Sequence, residues 1–596
     1  MSDYAAPIAD MRFVLDEIVG LGEIAGLPGY EEATPDLVDA VLEEAGKLAA
    51  EQLAPLNHSG DREGAVYENG VVRAPGGFKE AYRHYVEGGW NAVPFEPDYG
   101  GQGLPWALTS ALQEMWNASN MSFALNPLLT QGAVELLQSH GSDQQKSAYL
   151  PKLISGEWTG TMNLTESQAG SDVGALKTRA VAQGDHYLIS GQKIFITWGE
   201  HDLTDNIVHM VLARTPEAPA GTRGISLFIV PKFLLEEDGT PGQKNDLRCV
   251  SIEHKLGIHG SPTCVMAYGD GGSCVGYLVG EVNRGMEYMF TMMNNARLAV
   301  GVQGLAIADR AYQHAQAYAR DRLQSKDIAG SEGPVPIIRH PDVRRSLMTM
   351  KTLNEAMRML AYAAAGALDR GKRHPEEAAQ RRNQAVVDLL TPISKAWCTD
   401  LGVEIASLGV QIHGGMGFIE ETGAAQHYRD ARIAPIYEGT NGIQALDLLG
   451  RKLLRDKGAT ARGLIEQMRG SLNALSAAPG EDTRAVRIGL ERGLDTLSSA
   501  TGWIVEAGGR DIRLAAAGAS PYLRLFGTVA GGWLMGRAAV AAAGKLGQAE
   551  GDGAFLAAKI KTARFYADNI LPQAQALATM VTEGGASALA IDEDQL

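Results

Sequence analysis

A helical pattern of hydrophobic positions runs from residue 30 to about residue 157. Between Leu37 and Leu48, apolar residues recur every three or four positions, as they do along one face of an α-helix. A stretch rich in Gly and Pro at residues 94–105 interrupts the pattern, which then resumes. The pattern predicts a helical domain over residues 1–159.

The hydrophobic period changes near Gly160 from that of helices to that of β-strands. Residues 186–197 predict a hairpin whose turn is Gly191-Gln192, and residues 207–213 and 225–230 predict two further strands. The β-rich block ends near Gly285. A central β domain is therefore predicted over residues 160–285.

Helical patterns return after the β-rich block. Residues 298–322 predict a long helix with Ala and Gly on one face, and residues 341–371 and 376–408 predict two more. These helices predict a bundle over residues 286–455. The composition then shifts to Ala, Gly and Leu in new helices, so residues 456–596 are predicted to form an additional helical domain. The fold class is thus mainly α with a central β domain.

Composition excludes several classes of partner and cofactor. The 596 residues carry a net charge of -17, which disfavours binding to nucleic acid or to anionic lipid. The four cysteines form no CxxC pair, so a metal site is not expected, and their scarcity is typical of a reducing compartment. Residues 1–10 are acidic, unlike a signal peptide. The apolar stretch 526–536 ends at Arg537, too short to span a bilayer. We expect a cytoplasmic protein without a membrane span.

Common phosphate-binding and hydrolase motifs are missing from the sequence or incomplete. GxGxxG, GxSxG and HExxH do not occur in a suitable context. Residues 366–372 satisfy the first part of a P-loop, but Arg373 stands where Ser or Thr would bind magnesium. That segment is better interpreted as the C-terminal end of a helix.

Three other segments carry candidate chemistry. Met162–Asp172 combines hydroxyls with small residues, which suits an anionic or polar ring system but is as typical of a Ser-rich turn. Gln411–Phe418 has three glycines in four residues, which indicates a helix stop or a close approach of backbone to a ligand. Ile436–Asn441 places Glu438 between Tyr and Gly; alone, such an acid is more often at a helix start.

Together the three segments resemble the acyl-CoA dehydrogenase family, through TESQAGSD, QIHGGMGF and YEGTN. Residues 255–263 are also similar to the family's KLG region. The resemblance covers about residues 30–455, and the helices after 456 are similar to a longer subgroup. That subgroup includes broad-range bacterial fatty acyl-CoA dehydrogenases and 3-(methylthio)propanoyl-CoA dehydrogenases. The resemblance implies an N-terminal helical domain, a β-barrel-like middle domain and a four-helix bundle, followed by the additional helical domain.

The resemblance also implies an activity. It is the FAD-dependent α,β-dehydrogenation of an acyl-CoA to the trans-2-enoyl-CoA, with electrons passed to an electron-transfer flavoprotein. An α C–H beside a thioester is a weak acid, so its removal needs a desolvated carboxylate and donors on the carbonyl oxygen. By resemblance Glu438 is the base, and flavin N5 takes the β hydride.

Further site residues follow from the resemblance by position. The implied cofactor-binding residues are Met162, Thr165, Gly170, Ser171, Phe195, Thr197, Arg322, Gln411, Gly414, Gly415, Thr440 and Asn441. The implied substrate-binding residues are Ser171, Asn294, Arg297 and Gly439. Arg322 and the Gln411 loop match positions that meet the neighbouring subunit's FAD, which implies at least a dimer. The additional C-terminal domain suggests a homodimer, because in longer relatives it occupies the surface through which short members form tetramers. For Arg297 the alternative is a helix-start arginine in an ion pair.

Other functions stay open at this point. An acyl-CoA oxidase on the same fold would use oxygen as acceptor. A DNA-binding relative of the alkylation response is disfavoured by the net charge of -17. A non-catalytic CoA-binding protein and a flavin hydroxylase are both disfavoured by Glu438 in its full YEGTN setting. The methionines at 286–293 are more typical of an adaptable core than of a pocket wall, so the acyl group is left open.

Overall fold

The computed structural model describes residues 4–596, and the chain divides into two compact units. The first unit comprises residues 4–6, Glu44–Leu104 and Met115–Ala299. The second unit comprises Pro7–Glu43, Pro105–Glu114 and Val300–Leu596. The boundaries of the four predicted domains remain predictions.

The helices dominate the chain. They are α1 (Ile8–Phe13), α2 (Leu21–Ala25), α3 (Pro35–Leu48), α4 (Pro55–Glu63), α5 (Phe78–Glu87), α6 (Trp106–His140), α7 (Asp143–Ser155), α8 (Gly285–Asp321), α9 (Pro341–Arg373), α10 (Glu377–His413), α11 (Ala424–Ala431), α12 (Asn441–Asp447), α13 (Ala459–Ala477), α14 (Glu481–Arg510), α15 (Ile512–Ala517), α16 (Ala519–Gln548), α17 (Gly553–Asn569), α18 (Gln573–Thr582) and α19 (Gly584–Ala588). The fold class, mainly α with a central β domain, is confirmed.

The strands lie in the first unit. They are β1 (Val66–Glu68), β2 (Val71–Arg73), β3 (Thr159–Asn163), β4 (Arg179–Gln183), β5 (His186–Thr197), β6 (Ile207–Ala213), β7 (Ser226–Pro231), β8 (Phe233–Leu235), β9 (Pro241–Lys244), β10 (Leu247–Ile252), β11 (Thr263–Tyr268) and β12 (Val275–Leu278). The main sheet has the order β10-β11-β5-β12-β7-β6-β3, with β4 paired to β5. Every residue of β6 and β7 is buried, so these two strands form the centre of the β core.

The hairpin predicted at residues 186–197 is wrong. These residues form the single strand β5, and the hairpin is instead made by β4 and β5. Gly191 is required for clearance: a Cβ there would lie 2.9 Å from the Cα of Thr178. The strands predicted at 207–213 and 225–230 are confirmed as β6 and β7.

Helix α8 begins at Gly285, well before the Leu298 start that the sequence predicts, because the methionine-rich segment is helical. Met289 and Met292 are buried there, as expected of an adaptable core. Helices α9 and α10 match the two predicted helices closely, although α10 continues to His413.

The helices after residue 456 pack against α9 and α10 within the second unit. Helix α16 has the length and the mean hydropathy of a membrane span. The expectation that the apolar stretch is too short to cross a bilayer, based on residues 526–536 alone, is therefore wrong about the length of the helix. However, 83% of its most apolar window is buried among other helices, and this packing accounts for its apolar character.

A buried ion network joins elements of the second unit. The guanidinium of Arg358 donates to Glu114 at 3.0 Å and to Asp309 at 3.2 Å, in the interior. The Lys559 ammonium of α17 pairs with Asp10 and, at 3.4 Å, with Glu355 of α9. Because buried charges are tolerated only when paired, this network fixes α17 against α9 and the N-terminal segment.

Candidate active site

The first motif forms a loop after β3 in the first unit. The N–H of Ile194 in β5 donates to the carbonyl of Thr165 at 2.9 Å, so the loop lies beside the end of β5. Among residues 4–596, the hydroxyls of Thr165, Ser171 and Thr197 and the N–H groups of Gly170 and Ser171 have no hydrogen-bond partner. This edge therefore presents donors and acceptors that the protein itself does not use.

An aromatic ring lies at the same edge. Phe195 is 58% exposed although it belongs to β5, and its φ of +59° is in the left-handed region. Met162 of β3 is half-buried. An exposed ring held in a disfavoured backbone conformation is a feature that functional sites show more often than ordinary strands do.

Glu166 supports this loop from inside. Its carboxylate accepts hydrogen bonds from the N–H groups of Lys177 (2.7 Å) and Thr178 (3.0 Å) and from the Lys193 ammonium (2.8 Å). Burial alone would raise the pKa of Glu166, but the Lys193 charge and these hydrogen bonds hold it at about 2. Burial lowers the pKa of Lys193 to about 8, against the opposing effect of Glu166, so both groups are charged at neutral pH. The loop is thus anchored by a buried ion pair.

Two of the four predicted substrate-binding residues, Asn294 and Arg297, lie on α8. Asn294 is exposed, whereas Arg297 is 4% exposed. Arg297 lies well inside α8, which begins at Gly285, so its interpretation as a helix-start residue is wrong. Its role toward CoA remains a prediction.

The third motif forms a tight turn in the second unit, between Pro435 and α12. Glu438 is half-buried and has a φ of +56°, and Gly439 follows with a φ of +83°. The left-handed conformation costs a non-glycine residue about 1–2 kcal/mol. Such strain persists where the surroundings hold the backbone in place.

Two side chains, Gln444 and Lys395, hold the backbone of the turn in place. The Gln444 amide donates to the carbonyls of Glu438 (3.1 Å) and Gly439 (3.2 Å). The Lys395 ammonium of α10 donates to the Gly439 carbonyl at 2.9 Å and to Asn441 Oδ1 at 2.8 Å. Within the same turn, the N–H of Asn441 donates to the Pro435 carbonyl at 3.0 Å.

The residues that follow the base are used by the protein itself. Thr440 Oγ1 accepts from the N–H of Ile443 and caps α12. The Asn441 amide donates to Asp400 Oδ1 at 2.6 Å and to Thr399 Oγ1 at 3.0 Å. Burial raises the pKa of Asp400, although the Asn441 hydrogen bond opposes it.

Tyr437, which precedes the base, is half-buried. Its hydroxyl donates to Gln303, and burial together with the Glu438 charge raises the pKa of Tyr437 well above its usual value. The Tyr437 hydroxyl is therefore neutral at neutral pH, since its raised pKa lies further above that range than usual. The ring gives the base an apolar neighbour.

The second motif forms a short 3-10 helix, Gly414–Phe418, after α10. Gln411, Gly414 and Gly415 are exposed, as is Arg322 at the end of α8, and Phe418 is 85% exposed. These positions, implied by resemblance to face a neighbouring subunit, are accessible on the surface of the second unit.

Sequence reasoning missed three charged supporting residues. Glu166, Lys193 and Lys395 are all buried, and each forms the hydrogen bonds that hold a motif in place. Only Lys395 had a signal in the sequence, as a charged residue within a largely apolar stretch of its helix. The roles assigned to the predicted cofactor and substrate residues remain predictions.

Comparison with known families decides the classification. The model described as acyl-CoA dehydrogenase, N-terminal domain, matches residues 36–157, and the middle-domain model matches 161–270. The C-terminal domain model matches 283–454, and the model described as acetyl-CoA dehydrogenase C-terminal like matches 464–592. The chain belongs to the acyl-CoA dehydrogenase family. It is an oxidoreductase of that family.

Full-length relatives carry the longer architecture. The 3-methylmercaptopropionyl-CoA dehydrogenase of Ruegeria pomeroyi is 50% identical over 98% of this chain and 99% of its own. A broad-specificity linear acyl-CoA dehydrogenase of Mycobacterium tuberculosis is 34% identical over 96% of each chain. An acyl-CoA dehydrogenase of Bacillus anthracis, solved in complex with FAD, has a TM-score of 0.71 at 22% identity over 98% of this chain and 92% of its own, which shows the shared fold.

Proposed function

We propose that this acyl-CoA dehydrogenase family member oxidises an acyl-CoA thioester between its α and β carbons, with FAD as cofactor. The 3-methylmercaptopropionyl thioester is the first candidate substrate. The observation that carries the proposal is Glu438 in its strained turn, in a chain that is 50% identical over nearly its whole length to a 3-methylmercaptopropionyl-CoA dehydrogenase.

The residues of the first unit fit a flavin. The Thr165 and Thr197 hydroxyls and the N–H groups of Gly170 and Ser171 can bind carbonyl and phosphate oxygens, and the Phe195 ring can contact an aromatic system. A flavin held by these residues would supply the acceptor for the two electrons and the β hydrogen, which leave the substrate together as hydride. The buried pair of Glu166 and Lys193 keeps the loop in shape for this contact.

Glu438 performs the proton transfer. The α C–H bond breaks, its proton goes to the carboxylate, and its electron pair forms the new C=C bond as hydride leaves the β carbon. The thioester thus loses two hydrogens and becomes the trans-2-enoyl-CoA. The Tyr437 side chain beside the turn limits the access of water to the carboxylate.

We also propose an electron-transfer flavoprotein as acceptor, a homodimer as the working assembly and a cytoplasmic location. The exposed Arg322, Gln411 and Gly414 and the exposed Phe418 ring support a second copy of the chain at this surface. An apolar ring that is 85% exposed is better accommodated at an interface.

Anaerobic titration tests the activity. Purified protein would receive 3-methylmercaptopropionyl-CoA, butyryl-CoA or longer acyl-CoAs while flavin absorbance is recorded. We expect the yellow colour to bleach with at least one thioester, and most completely with the methylthio substrate. Failure of every acyl-CoA to bleach a flavin-loaded protein would overturn the proposal. Hydrogen peroxide release in air at the turnover rate would indicate an oxidase instead.

A further inference from the structure

The conformation of the base's turn must be maintained by something outside the turn. Glu438 and Gly439 both have positive φ values, and a glutamate adopts that conformation only when its surroundings require it. The carbonyls of this pair turn inward, where they accept hydrogen bonds from Lys395 and Gln444. The inward carbonyls are therefore the points at which the fold determines the direction of the Glu438 side chain.

Lys395 is the charged one of these two donors. It is 0% exposed, and its ammonium donates hydrogen bonds to both the Gly439 carbonyl and Asn441 Oδ1. These two acceptors belong to the residues immediately before and after Thr440. The Asn441 amide then continues the connection to Thr399 and Asp400, on the next turn of α10. One face of α10 thus holds the chain directly after the base, at Gly439 and Asn441.

Burial of an ammonium group costs free energy, and this cost is offset only when the group forms well-aligned hydrogen bonds. Hydrogen bonds from an ionised donor are shorter and stronger than those from a neutral one, so Lys395 constrains the Gly439 carbonyl more firmly than the Gln444 amide does. A positive charge near the turn also favours the ionised form of nearby carboxylates.

We propose that Lys395 is a positioning residue that holds Glu438 in its reactive conformation and favours its ionised form. This inference rests on the proposed function of Glu438. Lys395 does not touch the reacting atoms. It acts through the Gly439 carbonyl and Asn441, and its loss lets the turn relax toward unstrained backbone.

Lys395→Met tests this role, because it keeps the length of the side chain and removes the ammonium. We expect kcat to fall by about 10- to 100-fold, since small displacements of a reacting group have effects of this size. The KM for acyl-CoA and the flavin content should change little. The apparent pKa on the acidic limb of the kcat–pH profile should rise, because a positive charge near Glu438 is lost.

Lys559→Met is the matched control. It also removes a buried ammonium from the second unit, yet Lys559 pairs with Asp10 and Glu355 and not with the turn. It should lower stability while leaving kcat and its pH profile unchanged. If Lys395→Met does not fold, Lys395→Gln takes its place. Because it keeps a donor and loses the charge, it should raise the same apparent pKa with a smaller fall in kcat.

The outcomes separate the two proposals. If wild-type protein does not reduce its flavin with any acyl-CoA, the proposed function fails. If wild-type protein works and the Lys395 variants retain its kcat and pH profile, or change only KM, the positioning role of Lys395 is overturned.

Discussion

The Glu166 carboxylate combines burial, a cationic partner and two backbone donors in the first unit. Glu166→Gln would leave the Lys193 ammonium, which is 0% exposed, without its anion. We expect the free energy of unfolding to fall by about 3–5 kcal/mol, as measured by denaturant titration. Flavin should also bind more weakly, because the loop loses its anchor.

Glu157→Gln is the matched control for that variant. The Glu157–Lys152 pair has a short distance of 2.6 Å but lies at the surface, with side chains 53% and 42% exposed. Its removal should change stability by less than about 1 kcal/mol. Equal effects of the two variants would contradict the account of the buried pair.

The Glu166 carboxylate also makes the stability of the fold depend on pH. Its pKa in the folded protein is about 2, below the value of about 4.3 for an unperturbed Glu. Because the pKa of Glu166 is lower in the folded than in the unfolded protein, ionisation of this carboxyl group stabilises the fold. The stabilisation is complete above the pKa of the unfolded state and is lost as the pH falls from about 5 toward 2. The stability difference between wild type and Glu166→Gln should therefore narrow on acidification. A constant difference between pH 6 and pH 3 would contradict this assignment.

Close packing between α10 and α16 gives a prediction at the scale of elements. A Cβ added to Gly527 of α16 would lie 2.4 Å from the Trp397 ring of α10. Gly527→Ala should destabilise the protein by about 1–3 kcal/mol, because neither helix can shift freely. Gly544→Ala on the same helix meets nothing within 4 Å, and it should be neutral or stabilising by up to about 1 kcal/mol. Denaturant titration of both variants checks the contrast, and a Gly527→Ala protein as stable as Gly544→Ala would refute it.

The sequence predicted those elements that depend on local patterns, and it failed where an element depends on contacts with residues distant in the sequence. Periodicity predicted β6, β7, α9 and α10, because each has a regular apolar pattern of its own. It placed a turn at Gly191, where the glycine is required by contact with Thr178. That requirement is a tertiary contact and leaves no trace in local spacing.

The candidate site shows the same contrast between local patterns, which the sequence reveals, and contacts between distant segments, which it does not. The pattern Tyr-Glu-Gly-Thr-Asn is local, so it singled out Glu438 from the sequence alone, and the role of Glu438 as the base remains a prediction. The pattern did not reveal the left-handed backbone of Glu438 or its connection to Lys395, which lies on a different helix. A buried lysine is recognised as functional only when its partners are known.

The oligomeric state gives a prediction for the whole molecule. If Phe418 lies in the interface of a homodimer, Phe418→Ser removes an apolar contact worth about 1.5–3 kcal/mol. The dimer dissociation constant should rise at least about tenfold, as measured by light scattering over a dilution series. Ile591→Ser, at another exposed apolar position, should leave the mass unchanged. A monomeric wild-type protein, or a Phe418→Ser variant that dimerises as well as wild type, would contradict the proposed assembly.

The most direct test of the central claim is an anaerobic single-turnover measurement on Glu438→Gln loaded with FAD. Wild-type protein mixed with its best acyl-CoA should bleach the flavin in one rapid phase. The variant should bind the same thioester and keep its flavin, yet show almost no bleaching, because an amide cannot accept the α proton. Full bleaching by Glu438→Gln at the wild-type rate would show that another group removes the proton, and the mechanism proposed for this turn would be wrong.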